Sequence, residues 1–232
     1  MLKTETKMIS IFSELKKACT TEWEQYVKHE FTLLLGSGKM RQEAFQHYLI
    51  QDYIFLKHFA RAYGLAAYKS NTLSEIRAAS KSLHAIVSIE LELHEDYCRS
   101  WDIDRATLDQ TDENSATIAY TRYVLDCGLT GDILELYTAL LPCIMGYGEI
   151  GSRLITDKNT KSHGNVYYPW IEMYGGKDYQ ALAEEALWTF NNLSDSYAGN
   201  QRIVKLISIF KRAVQLEIMF WEAPLHLTKT SA

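Results

Sequence analysis

A cysteine and two acidic residues stand among large apolar neighbours in this sequence. Cys143 lies in Ala139-Leu140-Leu141-Pro142-Cys143-Ile144-Met145-Gly146-Tyr147. A free cysteine ordinarily packs as a small hydrophobe, whereas a thiolate is a strong nucleophile. Pro142 removes a backbone donor and should distort a helix locally. Gly146, Gly148 and Gly151 follow closely, so something packs very tightly or approaches this backbone. Both fates of Cys143 stay open at this point. Glu217 occupies an apolar helix end, with Phe220 and Trp221 on its own face. If exposed it is an ordinary surface carboxylate; if buried, its proton affinity rises and it can exchange protons near neutrality. Asp52 shares a face with Phe55 and is flanked by Tyr48, Leu49, Leu56 and Phe59. That surrounding points to a buried carboxylate needing hydrogen-bond partners, against the alternative of a surface ion pair.

Tyrosines complete the set. Tyr147 lies one turn after Cys143, while Tyr120, Tyr167 and Tyr168 are further candidates for inward-facing rings with a polar tip. Rings and carboxylates of this kind suit a flat, nitrogen-rich aromatic ligand. A metal centre is not expected. Helical di-iron sites use Glu-x-x-His pairs, and no histidine here has a glutamate three residues before it. Glu43/His47 and Glu90/His94 are four apart and read as solvated helix pairs; His29, His84 and His94 read as surface or capping residues. No Walker-type phosphate loop and no nucleophile elbow are present, and no cofactor is expected.

These residues need long helices to position them. The chain has 232 residues, only 3 prolines and 12 glycines, and 47% hydrophobic content. That composition is globular. A formal net charge of −5 argues against a generally basic nucleic-acid binder. Apolar residues recur at three and four along Ile9–Trp23, Phe45–Tyr68, Ile76–Trp101, Thr117–Gly128, Ile133–Leu154, Tyr167–Met173, Tyr179–Leu193 and Gln201–Trp221. Gly128 reads as a helix stop, and Thr130 or Asp132 as the next cap. Polar breaks fall at Gly36–Lys39, Asp102–Ser115 and Thr156–Asn165, none of them an interdomain linker. No alternating strand pattern appears. The expectation is one all-α domain over residues 1–232, a bundle of seven to nine helices. The longest nearly apolar stretch, Tyr137–Tyr147, is too short to span a bilayer, so no membrane partner is expected. No apolar run precedes the first amphipathic pattern. A cytoplasmic location follows as the expectation, with Cys19, Cys98, Cys127 and Cys143 as free thiols.

Taken together, several segments resemble the TenA family, known as thiaminase II or aminopyrimidine aminohydrolase. They are His29-Glu30-Phe31, Phe45-Gln46-His47-Tyr48-Leu49-Ile50-Gln51-Asp52-Tyr53, Leu140-Leu141-Pro142-Cys143, Tyr168-Pro169-Trp170-Ile171 with Tyr174-Gly175-Gly176, and Glu217-Ile218-Met219-Phe220-Trp221. The resemblance implies a haem-oxygenase-like helical bundle without haem, assembled as a homotetramer. It implies hydrolysis of the bond to the exocyclic methylene of a 4-amino-2-methylpyrimidine. The substrate would be thiamine or 4-amino-5-aminomethyl-2-methylpyrimidine, and the product the hydroxymethyl pyrimidine, salvaged for thiamine synthesis. By that resemblance Cys143 is the nucleophile, Glu217 handles protons, and Asp52 binds the amino edge of the ring. Phe55, where some members carry Tyr, stacks, and Tyr120, Tyr147 and Tyr167 line the pocket, with Tyr168 competing for the last role. The alternative is a non-catalytic protein of the same fold that only captures thiamine or the pyrimidine.

Overall fold

Side chains that satisfy orphan backbone N–H groups fix six of the helix starts: those after Ser10, His29, Thr72, Asp104, Asn114 and Asp132. The computed structural model describes residues 10–197 and 202–227; the expected helix positions Ile9 and Gln201 and the N-terminal segment lie outside the described residues. Ser10 caps α1 (Ile11–Ala18), and α2 (Thr20–Val27) follows after Cys19 leaves the helical conformation at φ −128° and ψ 37°. Here the structure splits what the spacing reads as one helix. The His29 ring caps α3 (Glu30–Ser37), accepting from the Phe31 N–H, and Gly38 ends it in the left-handed region. Next come α4 (Gln42–Lys69) and α5 (Leu73–Ala85), the latter opened by a Thr72/Glu75 capping box. A π-turn, Ile86–Glu90, joins α5 to α6 (Leu91–Arg99).

The polar break after Asp102 holds a short helix, α7 (Arg105–Gln110), capped by Asp104. Asn114 caps α8 (Ser115–Thr130), which runs past Gly128 and stops at Gly131. Gly128 therefore serves packing rather than termination: a Cβ there would sit 2.6 Å from the Leu65 side chain. Asp132, not Thr130, caps α9 (Ile133–Thr156). The remaining helices are α10 (Tyr168–Gly175), α11 (Lys177–Tyr197) and α12 (Ile203–Leu225). The twelve α-helices among the described residues exceed the expected seven to nine through the break at Cys19, the short α3 and α7, and the π-turn that divides α5 from α6. No strand occurs among the described residues.

Helix α9 is the axis of the bundle, packed against α8, α10, α11 and α12, while α4 packs on α5, α6 and α8. By length and composition α9 could cross a bilayer, more than the Tyr137–Tyr147 stretch suggests, but 83% of its apolar window is buried inside the protein. It is a core helix. Buried apolar residues from Leu15 to Trp221 form one continuous core. Two close approaches shape it. A Cβ on Gly146 would lie 2.1 Å from the Tyr26 ring, so glycine there lets α2 bring its tyrosine against α9. A Cβ on Gly151 would lie 2.3 Å from the Gly175 nitrogen, so α10 can end directly on α9. Gly146, Gly148 and Gly151 also have G-x-G-x-x-G spacing, but they lie within a continuous helix rather than in a strand-to-helix loop, and make no phosphate cradle.

Candidate active site

Four helices bring Asp52 (α4), Tyr120 (α8), Cys143 and Tyr147 (α9) and Glu217 (α12) to one buried cluster. Each carboxyl has its own phenol. The Tyr120 hydroxyl donates to Glu217 Oε1 at 2.7 Å, and the nearby Tyr26 hydroxyl favours the charged form of this carboxyl. The Tyr48 hydroxyl donates to Asp52 Oδ2 at 3.2 Å and itself accepts from Trp170 Nε1 at 3.0 Å. Tyr26 further donates to the Pro142 carbonyl at 3.3 Å, the contact that Gly146 makes room for.

Burial dominates the electrostatics. Asp52 is 3% and Glu217 1% exposed, and no lysine or arginine forms an ion pair with either among the described residues. Burial pushes the Glu217 carboxyl up to about 8; the Tyr120 hydrogen bond opposes this and the Asp52 charge adds to it. Burial likewise raises Asp52 to about 8, reinforced by Glu90 and opposed by Tyr48. Cys143 is half-buried. Burial first, then the negative charges of Glu217, Asp52 and Glu90, hold its thiol well above the ordinary range. In this setting the sulfur keeps its proton, and a nearby positive charge would favour the thiolate.

His94 departs from the sequence reading. It is buried, not a solvated partner of Glu90: its Nε2 meets the Leu49 carbonyl at 2.8 Å, and its Nδ1 lies 3.7 Å from Asp52 Oδ2. A carbonyl only accepts, so Nε2 carries the proton and Nδ1 presents a lone pair. Burial pushes this imidazole down to about 4. A neutral ring with its lone pair toward Asp52 gives that carboxylate no compensating charge.

Aromatic rings enclose the cluster. Phe55 packs on Tyr120 at 5.0 Å and on Phe220 at 5.8 Å between ring centroids. Tyr147 lies 5.1 Å from Trp221 and 4.8 Å from Tyr174. Tyr167 is not part of this enclosure. Its hydroxyl donates to the Met40 carbonyl at 2.6 Å and its ring stacks on Trp101; the half-buried Tyr168 follows it at the start of α10. The tyrosine that α10 turns inward is Tyr174, packed on Trp170 and Tyr147 and electrostatically coupled to Tyr48, Asp52 and Glu90. Its position two turns into α10 was the available signal: with Trp170 and Gly175-Gly176 it shares the segment already singled out in the sequence. Tyr48, Tyr26, Trp170 and Glu90 were also missed. Among the described residues no group of three or more His, Cys, Asp or Glu side chains is arranged to hold a metal ion. A half-buried thiol among carboxyls, phenols and π faces can bind a flat cationic or nitrogen-rich ring and combine nucleophilic addition with proton transfer.

Residues 16–226 match the model of the TENA/THI-4/PQQC family. An uncharacterized protein of Haemophilus influenzae is 38% identical over 205 residues, covering 88% of this chain and 94% of its own. A protein named aminopyrimidine aminohydrolase, from Halalkalibacterium halodurans, is 31% identical over 216 residues, covering 92% and 95%. Among solved structures, a TenA family transcription regulator from Silicibacter sp. TM1040 superposes with a TM-score of 0.88 at 39% identity, covering 94% of this chain and 97% of its own. A Shewanella denitrificans domain with a heme oxygenase-like fold superposes at a TM-score of 0.70 and 15% identity, covering 94% and 93%, a likeness of fold alone.

Proposed function

The chain belongs to the TENA/THI-4/PQQC family, and on that premise we propose that it is a hydrolase of 4-amino-2-methylpyrimidines acting in thiamine salvage. The observation that carries this reading is the Cys143 thiol, set among the charges of Asp52, Glu217 and Glu90 with no lysine or arginine paired to them among the described residues. Such a site favours a ligand that brings its own positive charge or acidic N–H groups. The aminohydrolase name of a relative 31% identical over most of its length supports the same activity.

The mechanism follows from the assigned positions. Asp52 meets the amino edge of the pyrimidine and favours its ring-protonated form. That positive charge stabilises the Cys143 thiolate, whose proton passes to a neighbouring carboxylate. Sulfur adds to the ring carbon beside the substituted one. Electrons returned from the adduct break the bond from the exocyclic methylene to its nitrogen, which departs as ammonia or neutral thiazole. A substrate amine that arrives unprotonated takes its proton from Glu217. Water adds to the exocyclic alkene, giving up a proton to Glu217, and the thiolate leaves the ring. Phe55, Tyr120, Tyr147 and Tyr174 hold the ring plane. A cytoplasmic homotetramer is part of the proposal. Exposed Tyr68, Leu129, Trp188 and Val204 give the monomer apolar surface to cover, and light scattering should return four copies.

The test is direct. Purified protein incubated with thiamine and, separately, with the aminomethyl pyrimidine should release the hydroxymethyl pyrimidine, resolved by chromatography. No product from either substrate would refute the assignment.

A further inference from the structure

The π-turn Ile86–Glu90 interrupts an otherwise continuous helical run from Leu73 to Arg99. Such a turn inserts an extra residue and re-aims the side chains around it, and π-turns are frequent at functional sites. Here it ends on Glu90. One turn later, His94 is anchored to the Leu49 carbonyl and faces Asp52. The π-turn packs against α4, and the Glu90 charge acts on Asp52 and Cys143 instead of pairing with His94 at the surface.

Its surroundings differ from those of the other two carboxyls. Glu217 is held by Tyr120, and Asp52 by Tyr48. Glu90 is half-buried and makes no hydrogen bond or ion pair to any described residue. Its charge acts on Cys143 and Asp52, and also on Tyr63, Tyr174 and Tyr179. Tyr48 precedes Asp52 on α4 by one turn, whereas Tyr63 lies three turns beyond it. Glu90 therefore acts across the cluster, on Tyr63 and Tyr179 as well as on Tyr174, which packs against Trp170. It is the carboxyl of the three whose oxygens are uncommitted.

We propose that Glu90 pairs with the positive charge of the leaving group, making its side of the cluster a cation subsite. This rests on the hydrolase reading above and assigns a residue beyond it. In both candidate substrates the charged nitrogen, an ammonium or a thiazolium, is bonded to the same exocyclic methylene, so one carboxylate serves both. Burial holds Glu90 up to about 7; an arriving cation supplies a counterion and favours ionisation. The hydroxymethyl product carries no such charge. Glu90 therefore discriminates substrate from product, binding the first and releasing the second. The charge leaves this nitrogen as the bond breaks, so the interaction belongs to the bound substrate more than to the transition state.

The experiment compares wild type with Glu90→Gln and Glu90→Asp in steady-state kinetics and in calorimetric titrations of hydroxymethyl pyrimidine and thiamine. For Glu90→Gln, KM for both cationic substrates should rise about tenfold or more, with kcat within about threefold. Affinity for the neutral hydroxymethyl pyrimidine should stay within about twofold, and Glu90→Asp should recover part of the loss in KM. A parallel loss of hydroxymethyl pyrimidine affinity would mark Glu90 as structural and overturn the proposal, as would an unchanged KM. If wild type turns over neither substrate, the hydrolase reading falls separately. The titrations then decide for Glu90: a selective loss of thiamine binding in Glu90→Gln sustains the cation subsite, and equal binding overturns it.

Discussion

Replacing Glu217 by glutamine should change stability in a way that depends on pH with a defined sign. The native state holds the Glu217 proton up to about 8, whereas the unfolded chain releases it near 4.5. Between those values the folded protein binds more protons than the unfolded one, so wild-type stability falls as pH rises through the window. Above it both states are ionised and the loss is complete. The slope is about 1.4 kcal/mol per pH unit, giving roughly 4–5 kcal/mol across the window for this fully buried group. Glutamine does not titrate, and its carbonyl oxygen can still accept from Tyr120 at the 2.7 Å position. At pH 4.5, where Glu217 is itself neutral, wild type and variant should differ by less than about 1 kcal/mol. By pH 8.5 the variant should be the more stable, with a Tm gap that has widened by about 10 °C. Thermal melts followed by circular dichroism, from pH 4.5 to 9 in half-unit steps, measure this. A gap that stays flat or narrows with rising pH would show that Glu217 is ionised in the native state at all these values.

Three further outcomes follow from the same geometry. Cys143 should react slowly with iodoacetamide at pH 7, because burial above all holds its thiol protonated, and hydroxymethyl pyrimidine should block the reaction; peptide mapping that finds equal labelling with and without that product would count against the site. Asp52→Asn should weaken hydroxymethyl pyrimidine binding by about 1.5–3 kcal/mol in calorimetry, the cost of a charge-assisted hydrogen bond, whereas Glu217→Gln should lower kcat by roughly a hundredfold and spare that affinity. Tyr174→Phe should reduce kcat/KM several-fold, while Tyr167→Phe, which loses the bond to the Met40 carbonyl, should cost about 1 kcal/mol of stability and leave turnover intact; the reverse pattern in paired assays would restore Tyr167 to the site.

The fold was legible because helical spacing survives in nearly every segment and few prolines or glycines interrupt it. Local caps were legible only in part. Asp132 was one of two candidates for α9, and Gly128 was misread as a stop because a glycine inside a helix that admits Leu65 looks the same in sequence as one that ends it. Cys143, Asp52 and Glu217 stood out as reactive or polar residues on apolar stripes, and those stripes do meet. His94 and Glu90 were hidden for a physical reason. Four-residue spacing puts Glu90 and His94 on one face without saying whether that face is solvated, and the π-turn ending at Glu90 shifts the inward face of α6 relative to that of α5. Tyr167 was misplaced because adjacent tyrosines at a helix start give no clue to which ring turns inward. Trp101 and the Met40 carbonyl, distant in sequence, take Tyr167, and the glycine contact between α9 and α10 sets Tyr174 against Tyr147.

The central claim is that Cys143 performs covalent chemistry on an aminopyrimidine inside this carboxylate-lined site. Its most direct measurement is single-turnover release of hydroxymethyl pyrimidine by wild type and Cys143→Ser at matched concentration, with binding of the product measured on both. Wild type should turn over at least one of the two candidate substrates. The serine variant should lose turnover by orders of magnitude while retaining product affinity and its melting temperature. Comparable turnover by Cys143→Ser, or none by wild type, would contradict the account.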